Sequence, residues 1–471
     1  MTPDEFRAQA HRMVDWIAVY RAGLEKLPVR SQVRPGEIRA QLPASAPEAP
    51  EPFDAILGDL DRVILPGLSH FQHPSFFGYF PSNSLPASVL GDFASTGLGA
   101  LGLSWQTSPA LTEVEEVTTD WMRQAVGLSS DWSGVIQDTA STCTLLGLIC
   151  ARERSSNYAL ARGGLQGEPN PLVVYASAHS HSSVAKAALL AGFGKDNLRL
   201  VPCGADFAML PEALEECVRE DLGAGRLPCA VVATTGTTTT TAMDPIGQIA
   251  TVARAHGIWL HVDAAMAGSA MILPECRWMW DGVEGADSLV LNAHKWLGVA
   301  FDCSLYYVRD SEHLVRVMST NPSYLQTSAD AEVKNLRDWG IPLGRRFRAL
   351  KLWFLLREQG LEQLRSRLRR DLENAKWLEA RVQETPGWKV LAPVVLQTLC
   401  VRHEPPGLVG EALERHTLNW AERVNRSGRA YLTPALLEGR WMVRISIGAH
   451  TTERSHVEKL WDLLKAEVKS S

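Results

Sequence analysis

The chain lacks the features that mark several large classes of protein. Its eight cysteines, at positions 143, 150, 203, 217, 229, 276, 303 and 400, are scattered through 471 residues with no C-x-x-C pair. That argues against a disulfide scaffold or zinc ribbon and for reduced thiols in a cytoplasmic protein. There is no P-loop and no Rossmann glycine fingerprint, so nucleotide binding has no motif to rest on. No stretch approaches the apolar length of a membrane span, and Met1-Thr-Pro-Asp-Glu-Phe6 carries acids where a signal peptide needs basic residues. The formal net charge of -6 provides no basic field for nucleic acid. His179-Ser-His181 comes nearest to a metal pair, but no third or fourth ligand stands at a recognisable spacing and no metal is expected. A solenoid repeat is also missing.

What is present is a soluble-protein composition, 45% hydrophobic and 21% charged. The length suits roughly three domains. Phe6, Ala10, Met13, Val14 and Ile17 recur at helical spacing and predict an amphipathic helix with one face to bury, a subunit interface being one candidate. Residues 42–52 form a proline-rich connector that cannot continue a helix. From about 86 to 352, short apolar runs alternate with helix-like segments. The runs include Leu172–Tyr175, Ala230–Ala233, Ile258–Val262 and Ser288–Leu291, continuous as in strands buried on both faces. The pattern predicts an α/β domain with a mostly parallel sheet. Leu396–Val401, the alternating Trp441–Ile447 and a helical tail through Val457, Leu460, Leu463 and Leu464 predict a small α+β C-terminal domain. The expected division is an N-terminal helical segment at 1–85, a large domain at 86–352 and a small domain at 353–471.

Ligands of open α/β sheets bind beyond the carboxyl ends of the strands. Asp263 directly follows Ile258–Val262, and Lys295, in Asn292-Ala-His-Lys-Trp296, comes shortly after Ser288–Leu291, so both fall at one sheet edge. An amine able to form an imine and an anion able to face a pyridine nitrogen are what pyridoxal 5'-phosphate (PLP) chemistry requires. Each residue also has a plainer reading, Asp263 as a cap or turn residue and Lys295 as a solvated charge. In Gln137-Asp-Thr-Ala-Ser141, ahead of a helical stretch to about Arg154, residues Thr139, Ala140 and Ser141 are placed to leave backbone amides open to a phosphate. Simple N-capping accounts for the same residues. His181 reads either as a hydrogen-bonded structural histidine or as an imidazole stacked on a cofactor ring. The Thr234–Thr241 run is placed to line such a site, although β-branched threonine is also ordinary strand and turn material.

Together these pieces resemble the group II PLP-dependent decarboxylases, and within them the aromatic-L-amino-acid decarboxylases, over essentially the whole chain. The segments that carry the resemblance are His73–Pro81, Ser104–Glu113, Ala178–Val184, His261–Gly268, Asn292–Leu297 and Ile341–Phe347. It implies a fold type I PLP enzyme, a cytoplasmic homodimer whose N-terminal segment packs across the dimer, converting aromatic amino acids to arylalkylamines and CO2. It further implies Lys295 as the cofactor-bearing lysine, Asp263 on the pyridine nitrogen and His181 against the ring. Thr139, Ala140, Ser141, Asn292 and His294 would surround the phosphate, with Thr238 near the ring. Phe80, Ser82 and Leu103 would shape the substrate pocket. Tyr324, in the polar stretch from about Ser319 to Ala331, would protonate the α-carbon. In relatives phenylalanine at that place accompanies oxidative deamination, the main alternative, alongside decarboxylation of a different amino acid.

The sequence departs from the family pattern at several points. Leu103 stands where animal enzymes have an aromatic residue, Phe71 replaces a tryptophan, Asp138 a glycine and Met266 a tyrosine. Gly344 is the small residue that accompanies indole substrates in plant relatives, where serine accompanies phenolic ones or histidine.

Overall fold

The computed structural model describes residues 1–320, 330 and 332–470. Two compact units divide the chain. The larger comprises Ser82–Leu372 and Ala392–Thr398; the smaller comprises Met1–Pro81, Glu373–Leu391 and Leu399–Ser471. The N-terminal segment therefore groups with C-terminal residues. Backbone pairing accounts for it: the Val29 and Phe77 N–H groups donate to the Gly428 and Tyr431 carbonyls at 2.8 and 2.9 Å. Partners some 350 to 400 residues apart leave no local pattern in the sequence.

The larger unit is built on seven strands: β1 (Ser133–Gln137), β2 (Leu172–Ser177), β3 (Leu198–Val201), β4 (Leu227–Thr234), β5 (Trp259–Asp263), β6 (Ser288–Asn292) and β7 (Ser304–Val308). Their order is β1-β7-β6-β5-β4-β2-β3. β2 pairs in parallel with β3 and β4, β4 with β5, and β5 with β6. β7 alone runs against its neighbours β1 and β6. β5, β6 and β7 are buried at every position, which is why their sequences are apolar runs rather than alternations. The sheet is mostly parallel, as the strand and helix alternation predicts.

The smaller unit holds a four-stranded sheet in the order β10-β11-β9-β8, from β8 (Trp388–Val390), β9 (Thr398–His403), β10 (Thr433–Leu437) and β11 (Arg440–Ser446). β8 with β9 and β10 with β11 are antiparallel pairs. The first helix, Pro3–Gly23, starts with a capping box between Thr2 and Glu5 and Pro3 in its first turn, the preferred opening of a helix. None of its residues is buried within the chain, and Phe6, Val14 and Val19 are exposed. No described helix is long and apolar enough to cross a membrane.

Candidate active site

The sheet topology gathers the candidate residues. β4, β5 and β6 run the same way, so Thr234, Asp263 and Val290 stand side by side at the carboxyl ends. β1 and β6 each run antiparallel to β7 and hence parallel to one another. Ser304 of β7 pairs with Gln137 on one side and Asn292 on the other, which brings the turn after β1 to the same edge. The Ser304 hydroxyl lies 2.6 Å from Asn292 Oδ1 and 3.1 Å from the Asp138 carbonyl oxygen.

Beyond β1, the helix Ala140–Ser155 begins with Thr139 in extended conformation and with no side-chain cap. The Asp138 carboxylate instead takes the N–H of Thr139 at 2.6 Å. The first-turn amides of Ala140 and Ser141 thus carry the partial positive charge of a helix N-terminus without a capping side chain. Beyond β2, His181 caps the helix Ser182–Leu190: its Nδ1 accepts from the Ser183 N–H at 3.2 Å and lies 2.8 Å from the Ser183 hydroxyl. Beyond β5, Asp263 is 4% exposed, and its Oδ1 accepts the Ala265 N–H at 3.0 Å. Beyond β6, Lys295 is half-buried in the turn Ala293–Leu297.

His181 lies within electrostatic reach of Asp263 and Lys295. Burial lowers the pKa of His181, the Asp263 carboxylate partly opposes that shift, and the Lys295 ammonium adds to it. His294 drops to about 4, first through burial and then through the Lys295 charge. As a neutral imidazole its Nδ1 accepts the Cys303 N–H at 2.9 Å. The buried Cys143 thiol is pushed well up by burial and by the carboxylates of Asp138 and Asp263.

The other candidates are placed as follows. Thr238 is half-buried in the turn after β4, in which the Thr241 N–H returns to the Thr237 carbonyl at 2.9 Å. Ser82 is half-buried and precedes Asn83, whose N–H donates to the Lys295 carbonyl at 3.4 Å. Leu103 is half-buried in the loop after helix Pro86–Leu98. Phe80 belongs to the smaller unit, where its ring lies 4.7 Å from the Arg444 guanidinium carbon. Tyr324 lies outside the described residues. Ser304 looks like an ordinary strand serine and carries no signal in the sequence, whereas Thr234 and Thr235 open the threonine run expected to line the site. The hydroxyls of Thr234 and Thr235 are buried with no hydrogen-bond partner among the described residues.

These residues fit PLP. The uncapped helix suits a phosphate dianion, the buried carboxylate a protonated pyridine, and the half-buried lysine an aldehyde. A lysine, a carboxylate and a phosphate cradle on the carboxyl edge of a mostly parallel sheet define a PLP-dependent enzyme of fold type I.

The family is narrower. Residues 35–404 match the pyridoxal-dependent decarboxylase conserved domain, and the chain belongs to that family. Phenylacetaldehyde synthase of Arabidopsis thaliana is 41% identical over 99% of this chain and 96% of its own. Tyrosine decarboxylase of Papaver somniferum is 40% identical over 99% of this chain and 94% of its own. Among solved structures, Oryza sativa TDC with PLP and tryptamine superposes with a TM-score of 0.96 at 36% identity, covering 100% of this chain and 99% of that one.

Proposed function

We propose that this enzyme decarboxylates aromatic L-amino acids, of the tryptophan, phenylalanine, tyrosine and DOPA type, to arylalkylamines and CO2, as a cytoplasmic homodimer. The observation that supports the reading most is the gathering of His181, Asp263 and Lys295 just beyond the carboxyl ends of β2, β5 and β6, on the edge where the uncapped helix Ala140–Ser155 begins. When bound, PLP supplies the electron sink for the pair left behind as CO2 departs. Lys295 would hold the cofactor through its side-chain amine. Asp263 holds a proton on the pyridine nitrogen. Thr139, Ala140, Ser141, Asn292 and His294 hold the phosphate, while His181 lies against the ring and Thr238 near it. Ser82 and Leu103 bound the aromatic pocket. Tyr324 gives the α-carbon its proton, with His181 as the second donor at hand. The exposed apolar side chains of the first helix support its packing across a dimer.

One experiment covers both main reactions. Purified protein is supplied with a panel of L-amino acids, acidic ones included, and amine, aldehyde, peroxide and CO2 are quantified. Amine and CO2 in equal amounts from the aromatic substrates are expected. Aldehyde and peroxide without amine would instead support the oxidative reaction named for the Arabidopsis thaliana relative. The Lys295→Ala protein is expected to lose the visible absorbance of bound cofactor; an unchanged band would overturn the role of Lys295.

A further inference from the structure

The turn that bears Lys295 is held from outside. In Ala293–Leu297 the backbone of Lys295 leaves helical values, at φ -97° and ψ -113°, and Gly298 ends the turn at φ 104°. At Gly298 a Cβ would fall 2.2 Å from Leu85 Cδ1, so the leucine would have to shift, and the positive φ itself favours glycine. A turn this short leaves its last carbonyls without helical partners.

Arg367 supplies them. Its Nη2 donates to the carbonyls of Trp296 and Leu297 at 2.7 Å each. Four residues on, along the helix Ala349–Glu384, Asp371 Oδ2 accepts the indole N–H of Trp296 at 2.8 Å. Residues four apart share a helix face, so one short stretch grips both the backbone and the side chain next to Lys295. Trp296 and Asp371 have no exposed surface. Arg370 Nε lies 3.7 Å from Asp371 Oδ1. The Nε and Nη1 atoms of Arg367 are shut from solvent with no hydrogen-bond partner among the described residues. Burying a guanidinium so sparingly partnered is costly, and an apolar residue would pack there at less cost. What the charged pair provides beyond packing is direction: donors on two carbonyls and an acceptor on one indole.

We propose that Arg367 and Asp371 are positioning residues for Lys295. They lock the Ala293–Leu297 turn through Trp296, so that the lysine side chain swings away from the cofactor and back while its backbone stays in register. The proposal rests on Lys295 being the cofactor-bearing lysine.

The test compares W296F, D371N, D371L and the W296F/D371L double variant with the parent enzyme. The readouts are the rate at which cofactor-free protein captures added PLP, followed by its visible band, together with kcat, KM and thermal unfolding. W296F and D371L are each expected to slow capture and to lower kcat by about tenfold or more, with KM little changed. D371N keeps an oxygen acceptor and should stay close to the parent. The double variant should be no worse than either single, because both remove the same bond. Should D371L fail to fold, the contrast between a slow W296F and a normal D371N decides the matter. Parent-like capture and kcat in W296F would overturn the proposal, as would multiplying effects in the double variant. Lys295→Ala separates the two levels. A cofactor band that survives it removes the underlying assignment, whereas a band lost there beside an unaffected W296F removes only the positioning role.

Discussion

Acidification from pH 7 to pH 5 should weaken the sheet that carries the site, and His261 allows the size of the effect to be worked out. His261 lies on β5, two residues before Asp263, and is fully buried. Its Nδ1 is 2.8 Å from the Ser288 hydroxyl, and that hydroxyl also receives the Trp259 indole N–H at 2.9 Å. The Ser288 hydroxyl thus links the Trp259 indole to the His261 ring, and the ring is held neutral in this buried site. A second proton would place a charge in the core, where Nε2 has no hydrogen-bond partner among the described residues. Burial accordingly lowers the pKa from 6.5 to about 4, against a weaker opposing pull from Asp263. Because the folded value lies below the unfolded one, stability is complete above pH 6.5 and declines as pH falls toward 4. At pH 5 the unfolded imidazole is mostly protonated and the folded one mostly not, a difference of about 2 kcal/mol; at pH 7 the same expression gives only ~0.2 kcal/mol. The assay is hydrogen exchange of the β5 amides in the parent and in His261→Asn, at both pH values, corrected for intrinsic rates. Asparagine keeps a partner for Ser288 but gains no proton. Its constant penalty cancels when each protein is compared with itself, as do contributions from other histidines. The parent should lose about 2 kcal/mol more than the variant on acidification. Equal losses would refute the reasoning.

Three other outcomes are expected. Glu115→Ala strands Arg345, its 2.7 Å partner, at side-chain exposures of 1% and 4%; it should cost about 3–5 kcal/mol, seen as a marked fall in melting temperature, and a shift of under about 1 kcal/mol would count against a buried ion pair. Asp263→Asn should leave the protein folded yet lower kcat by about a hundredfold or more, since the amide cannot hold charge opposite a protonated pyridine. Gly344→Ser should move the ratio of kcat/KM for tryptophan over tyrosine toward tyrosine by about tenfold. Among the described residues a Cβ there meets only Leu101 Cδ1, at 3.1 Å, the end of a flexible side chain, so the variant should fold normally and report on selectivity alone.

Much of the site was legible in the sequence because it is strand-end chemistry. β2, β4, β5 and β6 appear as apolar runs, and His181, Asp263, Asn292 and Lys295 follow them within a few residues. The helix that starts at Ala140 was legible for a similar reason, since threonine, alanine and serine before a leucine-rich stretch mark a helix start. What could not be read were pairings between distant segments. Arg367 and Asp371 sit in Arg365-Ser-Arg-Leu-Arg-Arg-Asp371, which looks like the solvated face of a charged helix. Nothing local distinguishes the arginine that holds the Trp296 carbonyl from Arg369, which pairs with Glu275 where both are substantially exposed. Ser304 is equally silent, since its role comes from lying between β1 and β6.

The sequence by itself determined the class of sheet, the strand ends that carry chemistry and the residue types of an amine, an anion and a phosphate cradle. These follow from periodicity and from short-range order, which are properties of neighbouring residues. Only the tertiary structure decided that β7 lies antiparallel between β1 and β6, that residues 1–81 group with C-terminal residues and that the turn bearing Lys295 is held at Trp296 and Leu297 from a helix some seventy residues away. Those choices depend on burial and hydrogen bonding between segments remote in the chain, and such pairings are selected only when the whole core closes.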